Sequence, residues 1–193
     1  MEVAVWRHRF YRDRKDGFGF RTVQFKICAE GHALAGGHFI EWSGSGSLEE
    51  FFYEADGLSK ADHDTADIIQ RVWGDELSPF DYGTVVRFGR LAIVATSHSL
   101  EIWSLINSVI AKEFARRGSL LVLKAFPLEF ERPGGIERDG LRKRACAMSR
   151  YYERRLRVHV IPGPYGAEGW MWRPLRYCPL PPTKRPRAPR RAA

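Results

Sequence analysis

Residues 85–126 constrain this chain more than any other stretch. Residues 85–95, VVRFGRLAIVA, make a long strand that is apolar on both faces near its end, as central strands are. Residues 120–126, LLVLKAF, make a second buried strand, and Pro127 limits its pairing. Between them Ile102, Trp103, Ile106, Val109, Ile110 and Phe114 recur at helical spacing, with Ser97 or Ser99 as cap and Gly118 as stop. Strand, crossover helix and strand form a βαβ unit, whose two strands lie parallel.

The rest of the chain arranges itself around that unit. Val23, Phe25 and Ile27 alternate with polar neighbours, and Phe39, Ile40 and Trp42 end a returning strand after a turn at Glu30-Gly31. Gly36-Gly37 suggests a bulge or a second turn. Trp6, His8 and Phe10 alternate with Arg7 and Arg9 as a first strand, and residues 11–19 read as a loop. Ser47 with Glu50 forms a capping box for a short helix, and Ser59 with Asp62 opens a second that stops at Gly74. Leu141, Ala145, Met148, Tyr152 and Leu156 lay one apolar stripe along a later helix. Residues 158–161 and 170–172 are closing strands.

The net charge of +8 invites a nucleic-acid reading. Its location weakens that reading. Lys184, Arg185, Arg187, Arg190 and Arg191 place +5 on a proline-broken segment, residues 179–193, leaving +3 for residues 1–178. The expected organisation is one domain over 1–178 and a disordered basic tail over 179–193, with nucleic acid engaged through the tail only. No apolar run is long enough to span a bilayer, the N-terminus lacks the order of a secretory signal, and three distant Cys form no disulfide framework. A cytoplasmic protein without a membrane partner is the expectation. The six His have no metal-ligand spacing, so no metal is expected.

Three strings, Gly89-Arg90-Leu91-Ala92-Ile93-Val94, Phe126-Pro127-Leu128-Glu129-Phe130 and Ser149-Arg150-Tyr151-Tyr152-Glu153-Arg154, carry a resemblance that covers roughly residues 80–175. In the order strand, helix, strand, helix, they resemble the GNAT superfamily of acetyl-CoA-dependent N-acetyltransferases. The resemblance implies an α/β (α+β) fold: a mixed, mainly antiparallel sheet with a splayed parallel strand pair, flanked by helices. It also implies acetyl-CoA as co-substrate and a small-molecule or protein amine as acceptor. Backbone groups of Leu91, Ile93 and Val94 would hold pantetheine. The pyrophosphate would lie at the helix start His98-Ser99-Leu100-Glu101-Ile102-Trp103, where free N–H groups favour an anion. Tyr152 aligns with the tyrosine that protonates the departing thiolate, and Glu129 or Glu41 is a candidate general base.

This sequence departs from the family pattern at that helix start. The family's loop is Arg/Gln-x-x-Gly-x-Gly/Ala; here His98 replaces the Arg, and Glu101 and Trp103 replace the glycines. Three readings follow: an N-acyltransferase with an altered phosphate site, a non-catalytic module of the same fold, or a nucleic-acid-associated protein using its tail. Tyr152 equally suits packing, since it lies on the apolar stripe. Lys124 snorkels from its strand or pairs with a carboxylate. Arg142, Lys143, Arg144, Arg150, Arg154 and Arg155 are a solvated helix face or line an acidic partner.

Overall fold

Period-two alternation builds the first half of the sheet. In a computed structural model describing residues 1–12, 17–94, 98–125, 138–176 and 178–179, β1 (Glu2–Arg7), β3 (Gly19–Ala29) and β4 (His32–Ser43) form an antiparallel run. A short β2 (Tyr11–Arg12) pairs with the start of β3, within the segment expected to be a loop. The first strand lies earlier than the aromatic alternation at Trp6, His8 and Phe10 suggests. Its register sets Val3 opposite Ile27 and Val5 opposite Phe25, so the valines pack on the core while Trp6 stays exposed.

Two helices follow, each opened by the expected serine. Ser47 caps α1 (Leu48–Asp56) in a full capping box with Glu50. Ser59 caps α2 (Lys60–Val72), and Gly74 takes φ +70°, a backbone that glycine adopts at no steric cost. The chain then enters β5 (Thr84–Ile93), crosses over through α3 (Ser99–Phe114) and returns in β6 (Gly118–Lys124), parallel to β5. His98 holds the cap position of α3 without a side-chain bond, Ser99 is the helix's first residue rather than its cap, and Ser97 lies outside the described residues. The last elements are α4 (Arg138–Leu156), β7 (His159–Val160), the single turn α5 (Pro164–Ala167) and β8 (Trp170–Pro174).

The sheet order is β1-β3-β4-β5-β6-β8-β7, with β5–β6 the parallel pair and every other pairing antiparallel. Both faces are covered. Leu121 and Leu123 point to the α3–α4 side with Phe39, Ile106 and Phe114, whereas Leu120 and Val122 point to the α1–α2 side with Trp42, Phe51 and Ile69. Each large side chain fully buried in this way contributes about 1.5–3 kcal/mol. The central strands are therefore apolar on both faces because helices lie against both. Among the described residues no helix is long and apolar enough to cross a membrane. The tail beyond Pro179 lies outside the described residues, apart from the carbonyl of Pro179 itself, which accepts from Trp73 Nε1 at 3.1 Å.

Candidate functional site

The parallel pair is closed at one end and open at the other. Pairing of β5 with β6 runs from Thr84↔Gly118 to Phe88↔Leu123 and stops. Past that point β5 stays with β4 through Leu91↔Gly37, Ala92↔Gly36 and Ile93↔Ala35. The other strand stays with β8, and Ala125 N–H donates to the Gly169 carbonyl at 2.8 Å. The two strands thus fork after Phe88 and Leu123.

A bulge in β5 sets the fork. Between Phe39↔Phe88 and Gly37↔Leu91, β4 contributes His38 alone while β5 contributes Gly89 and Arg90. The extra residue flips the parity of β5, so Phe88 and Leu91 both reach the α3–α4 core. It also fixes which backbone groups face the opening. Val94 N–H donates to Leu34 O at 2.8 Å, so by the alternation of an antiparallel ladder Ala92 faces β4, and the N–H groups of Leu91 and Ile93 face the fork.

Inside the fork lies a cavity of about 390 Å³ that reaches both sides of the sheet. Phe88, Leu91, Met148 and Tyr152 line it from the α3–α4 side. From the α2 side come His38, Ala61, Asp64 and Arg87, with Lys124 and Trp170 at the β6–β8 wall. Lys124 Nζ lies 3.7 Å from Glu168 and 5.2 Å from the centre of the Trp170 ring.

Tyr152 is the most suggestive of these groups. Burial, with the neighbouring Tyr151 next, pushes its phenol up to about 12, so it is a neutral donor at physiological pH. Among the described residues no protein group bonds its hydroxyl, although the ring packs 5.7 Å from Trp103. Tyr151 is the opposite case. Its hydroxyl accepts from Trp103 Nε1 at 2.7 Å and lies 3.0 Å from Ser99 Oγ. Burial raises the Tyr151 pKa, but these bonds and the Arg155 cation outweigh it and leave the pKa below its ordinary value.

Across the fork, His38 lies directly over Gly89. A Cβ at position 89 would stand 2.2 Å from His38 Nε2, so only glycine leaves room for the ring. Burial depresses the imidazole's pKa first, and Arg87 and Arg90 add to that against the opposing pull of Asp62. His38 is therefore neutral near pH 7. Arg87 is held by Asp62, at 3.0 Å from Nε and 2.8 Å from Nη2, while Ser59 Oγ donates to the same carboxylate at 2.6 Å. That buried pair ties the start of α2 to β5.

The residues singled out from sequence fall into separate places. Leu91 and Tyr152 meet in the cavity, and Ile93 packs half-buried against the α3–α4 core. Val94 turns its side chain to solvent and gives its N–H to Leu34. His98 lies 3.5 Å from Glu101, both exposed, and Leu100 is exposed beside them. Ile102 and Trp103 are buried in the core, and Ile102 N–H is engaged by the His98 carbonyl. Glu129 lies outside the described residues, as does Phe126-Pro127-Leu128-Glu129-Phe130 as a whole.

Glu41 is not placed to act as a base. It is completely buried and accepts from Arg21 Nε at 2.5 Å, Arg117 Nε at 2.5 Å and Thr84 Oγ1 at 2.9 Å. Two guanidiniums neutralise it at the closed end of the strand pair, away from the cavity. His38, Asp62 and Arg87 carry the polar side of the fork and were not singled out from sequence. Gly89 inside an apolar strand was the available signal, because glycine there marks a bulge or a close approach. Among the described residues no three His, Cys, Asp or Glu side chains gather to hold a metal ion. No family model, no curated protein and no solved structure matches the chain.

Proposed function

We propose that the chain is an N-acyltransferase that moves an acyl group from an acyl-CoA thioester to an amine, with its reaction centre in the fork between β5 and β6. The observation that carries this reading is Tyr152, a largely buried side chain whose hydroxyl has no protein partner among the described residues, lining a cavity between two parting parallel strands. The residues present fit such a co-substrate. Fork-facing N–H groups at Leu91 and Ile93 suit the amides of a pantetheine arm, and Trp103 is turned into the core rather than across the start of α3. Acyl-CoA supplies an activated carbonyl and a thiolate leaving group.

The chain's own groups then divide the work. Fork-facing N–H groups stabilise negative charge developing on the carbonyl oxygen. Neutral His38 takes a proton from the attacking amine on the α2 side of the cavity. Tyr152 donates to the departing sulfur. With its pKa at about 12, above the ~8.5 of a thiol, the phenol acts chiefly as a hydrogen-bond donor, because complete proton transfer to sulfur runs uphill.

A second reading, a ligand-binding module without transfer, is favoured by Glu101, whose exposed carboxylate stands in the first turn of α3. Thermal denaturation with acetyl-CoA tests both. At a hundredfold excess over its dissociation constant the ligand adds about 2.7 kcal/mol, which is about 5–10 °C in Tm for a domain of this size. Stabilisation with acyl transfer to a panel of amines supports the enzyme, and stabilisation without transfer supports the module. No stabilisation at millimolar acetyl-CoA overturns both as acyl-CoA proteins.

A further inference from the structure

A second concavity lies between α3 and the C-terminal end of α4, and its chemistry differs from that of the fork. It encloses about 600 Å³ and shares no lining residue with the fork cavity. One wall is a stripe of α3 in which Ser104, Asn107, Ser108 and Ala111 recur at helical spacing, small or polar where the core-facing stripe of that helix is apolar. The facing wall brings Arg154, Arg155 and Arg157 together with Arg173 of β8. No lining residue is acidic, and among the described residues none of these four guanidiniums makes an ion pair.

The arginines are placed rather than scattered. Asn107 is the organising side chain: its Nδ2 donates to the carbonyls of Trp103 at 2.9 Å and Arg155 at 2.8 Å. Its Oδ1 accepts from Arg173 Nη1 at 3.3 Å, and the same guanidinium donates to the Leu156 carbonyl. Arg155 lies over the Tyr151 ring, 5.4 Å from its centre. Arg157 sits just past the end of α4 with φ +55°, a left-handed position that helices usually give to glycine or asparagine. Burial first, and the like charge of the nearby Arg157 next, disfavour the charge on Arg173. Like charges assembled at a strained backbone position, with no carboxylate to neutralise them, leave an anion as the missing partner.

We propose that this groove binds a small ligand carrying two or more phosphoryl groups. Three of the arginines fall within four consecutive residues and converge with Arg173 at one end of the groove, which suits a compact polyphosphate better than an extended strand. Guanidinium forks match phosphoryl oxygens bidentately, the Ser104 hydroxyl stands opposite while Ser108 Oγ donates to the Ser104 carbonyl at 3.0 Å, and the volume suits a ligand of nucleotide size. The groove shares no residue with the fork cavity but reaches the start of α3 through Leu100 and Trp103.

Titration calorimetry with inorganic pyrophosphate on the full chain at 0.15 M salt tests the proposal. Wild-type protein binds pyrophosphate at micromolar to low-millimolar concentration. Arg154→Gln weakens binding several-fold, and Arg154→Gln with Arg157→Gly weakens it at least tenfold. Glycine at 157 relieves the backbone, so circular dichroism will show both variants folded. A control of equal charge loss outside the groove, Arg116→Gln with Arg150→Gln, changes affinity less than twofold. No binding by wild type at 10 mM pyrophosphate, or equal losses in groove and control variants, overturns the site. Tight binding of a single-stranded oligonucleotide without pyrophosphate binding also overturns it, in favour of a nucleic-acid surface.

Discussion

The two ends of the parallel pair use polar residues in opposite ways. At the closed end Thr84 N–H donates to the Arg117 carbonyl at 2.7 Å, Ser119 Oγ donates to the Thr84 carbonyl at 3.1 Å, and Glu41 gathers Arg21, Arg117 and Thr84. At the open end β5 carries a bulge and a glycine under an imidazole, and α4 brings up Tyr152, whose hydroxyl has no protein partner among the described residues. Bonded groups hold the strands together at the closed end, where among the described residues Arg21 Nη2 alone of the Glu41 cluster stays buried without a partner, and the open end leaves room for a ligand. The fork is tolerable because the other end is pinned.

Breaking the pin gives the largest expected effect. Glu41→Gln removes the charge shared by two guanidiniums, one of which, Arg21, is 14% exposed. Leaving buried charge uncompensated costs about 3–5 kcal/mol. Urea denaturation is expected to show the unfolding free energy fall by that amount, as a lower midpoint at unchanged slope. A drop below about 1 kcal/mol would mean the closed end is not what holds the strands.

The other end is broken through chemistry rather than stability. His38→Ala removes the proposed base from the fork, and kcat/KM for amine acylation is expected to fall by about 10²–10⁴-fold. Stability changes little, because the imidazole borders a cavity. Tyr152→Phe should likewise lower kcat with little change in unfolding free energy, whereas Tyr151→Phe loses bonds to Ser99 and Trp103 and costs about 1 kcal/mol or more. Equal stability losses in the two tyrosine variants would remove the distinction between them.

The closed end and the crossover unit were legible in sequence because their signals are local. Strings such as VVRF and LLVL declare strands buried on both faces, and Ser47 with Glu50 or Ser59 with Asp62 declares a helix start within four residues. The fork's polar side was not legible, because it depends on pairing across distant segments. His38 meets Gly89 only through the register of β4 on β5, and Asp62 meets Arg87 only once α2 packs on that strand. Glu41 read as a candidate base in sequence, and its neutralisation by Arg21 and Arg117 is visible only in three dimensions. The start of α3 misled for a related reason. A tryptophan read in place of a loop glycine is turned inward and bonded to Tyr151.

A smaller effect tests the glycine under the imidazole. The three nearest atoms to a Cβ at position 89 all belong to His38. Gly89→Ala should therefore cost about 1–3 kcal/mol as an overpacked contact. In a His38→Ala background the same substitution should cost almost nothing, so the double-mutant cycle yields a coupling of nearly the whole penalty. An undiminished cost in that background would place the constraint in the backbone instead.

The smallest effect is a dependence on pH. Folding lowers the His38 pKa below the ordinary 6.5, by burial first and by Arg87 and Arg90 next, so the unfolded chain binds its proton at a higher pH than the folded one. Stability from this group is complete above pH 6.5 and falls as the pH drops from there toward the folded value, below which it levels off. Acylation by the neutral base should lose rate in acid around that lower folded value. Unfolding measured between pH 8 and pH 5 should show a downward step in wild type that His38→Ala removes, while Glu41→Gln keeps the step on its lower baseline. A step that survives His38→Ala would assign the acid sensitivity to another group and leave the imidazole over Gly89 as packing alone.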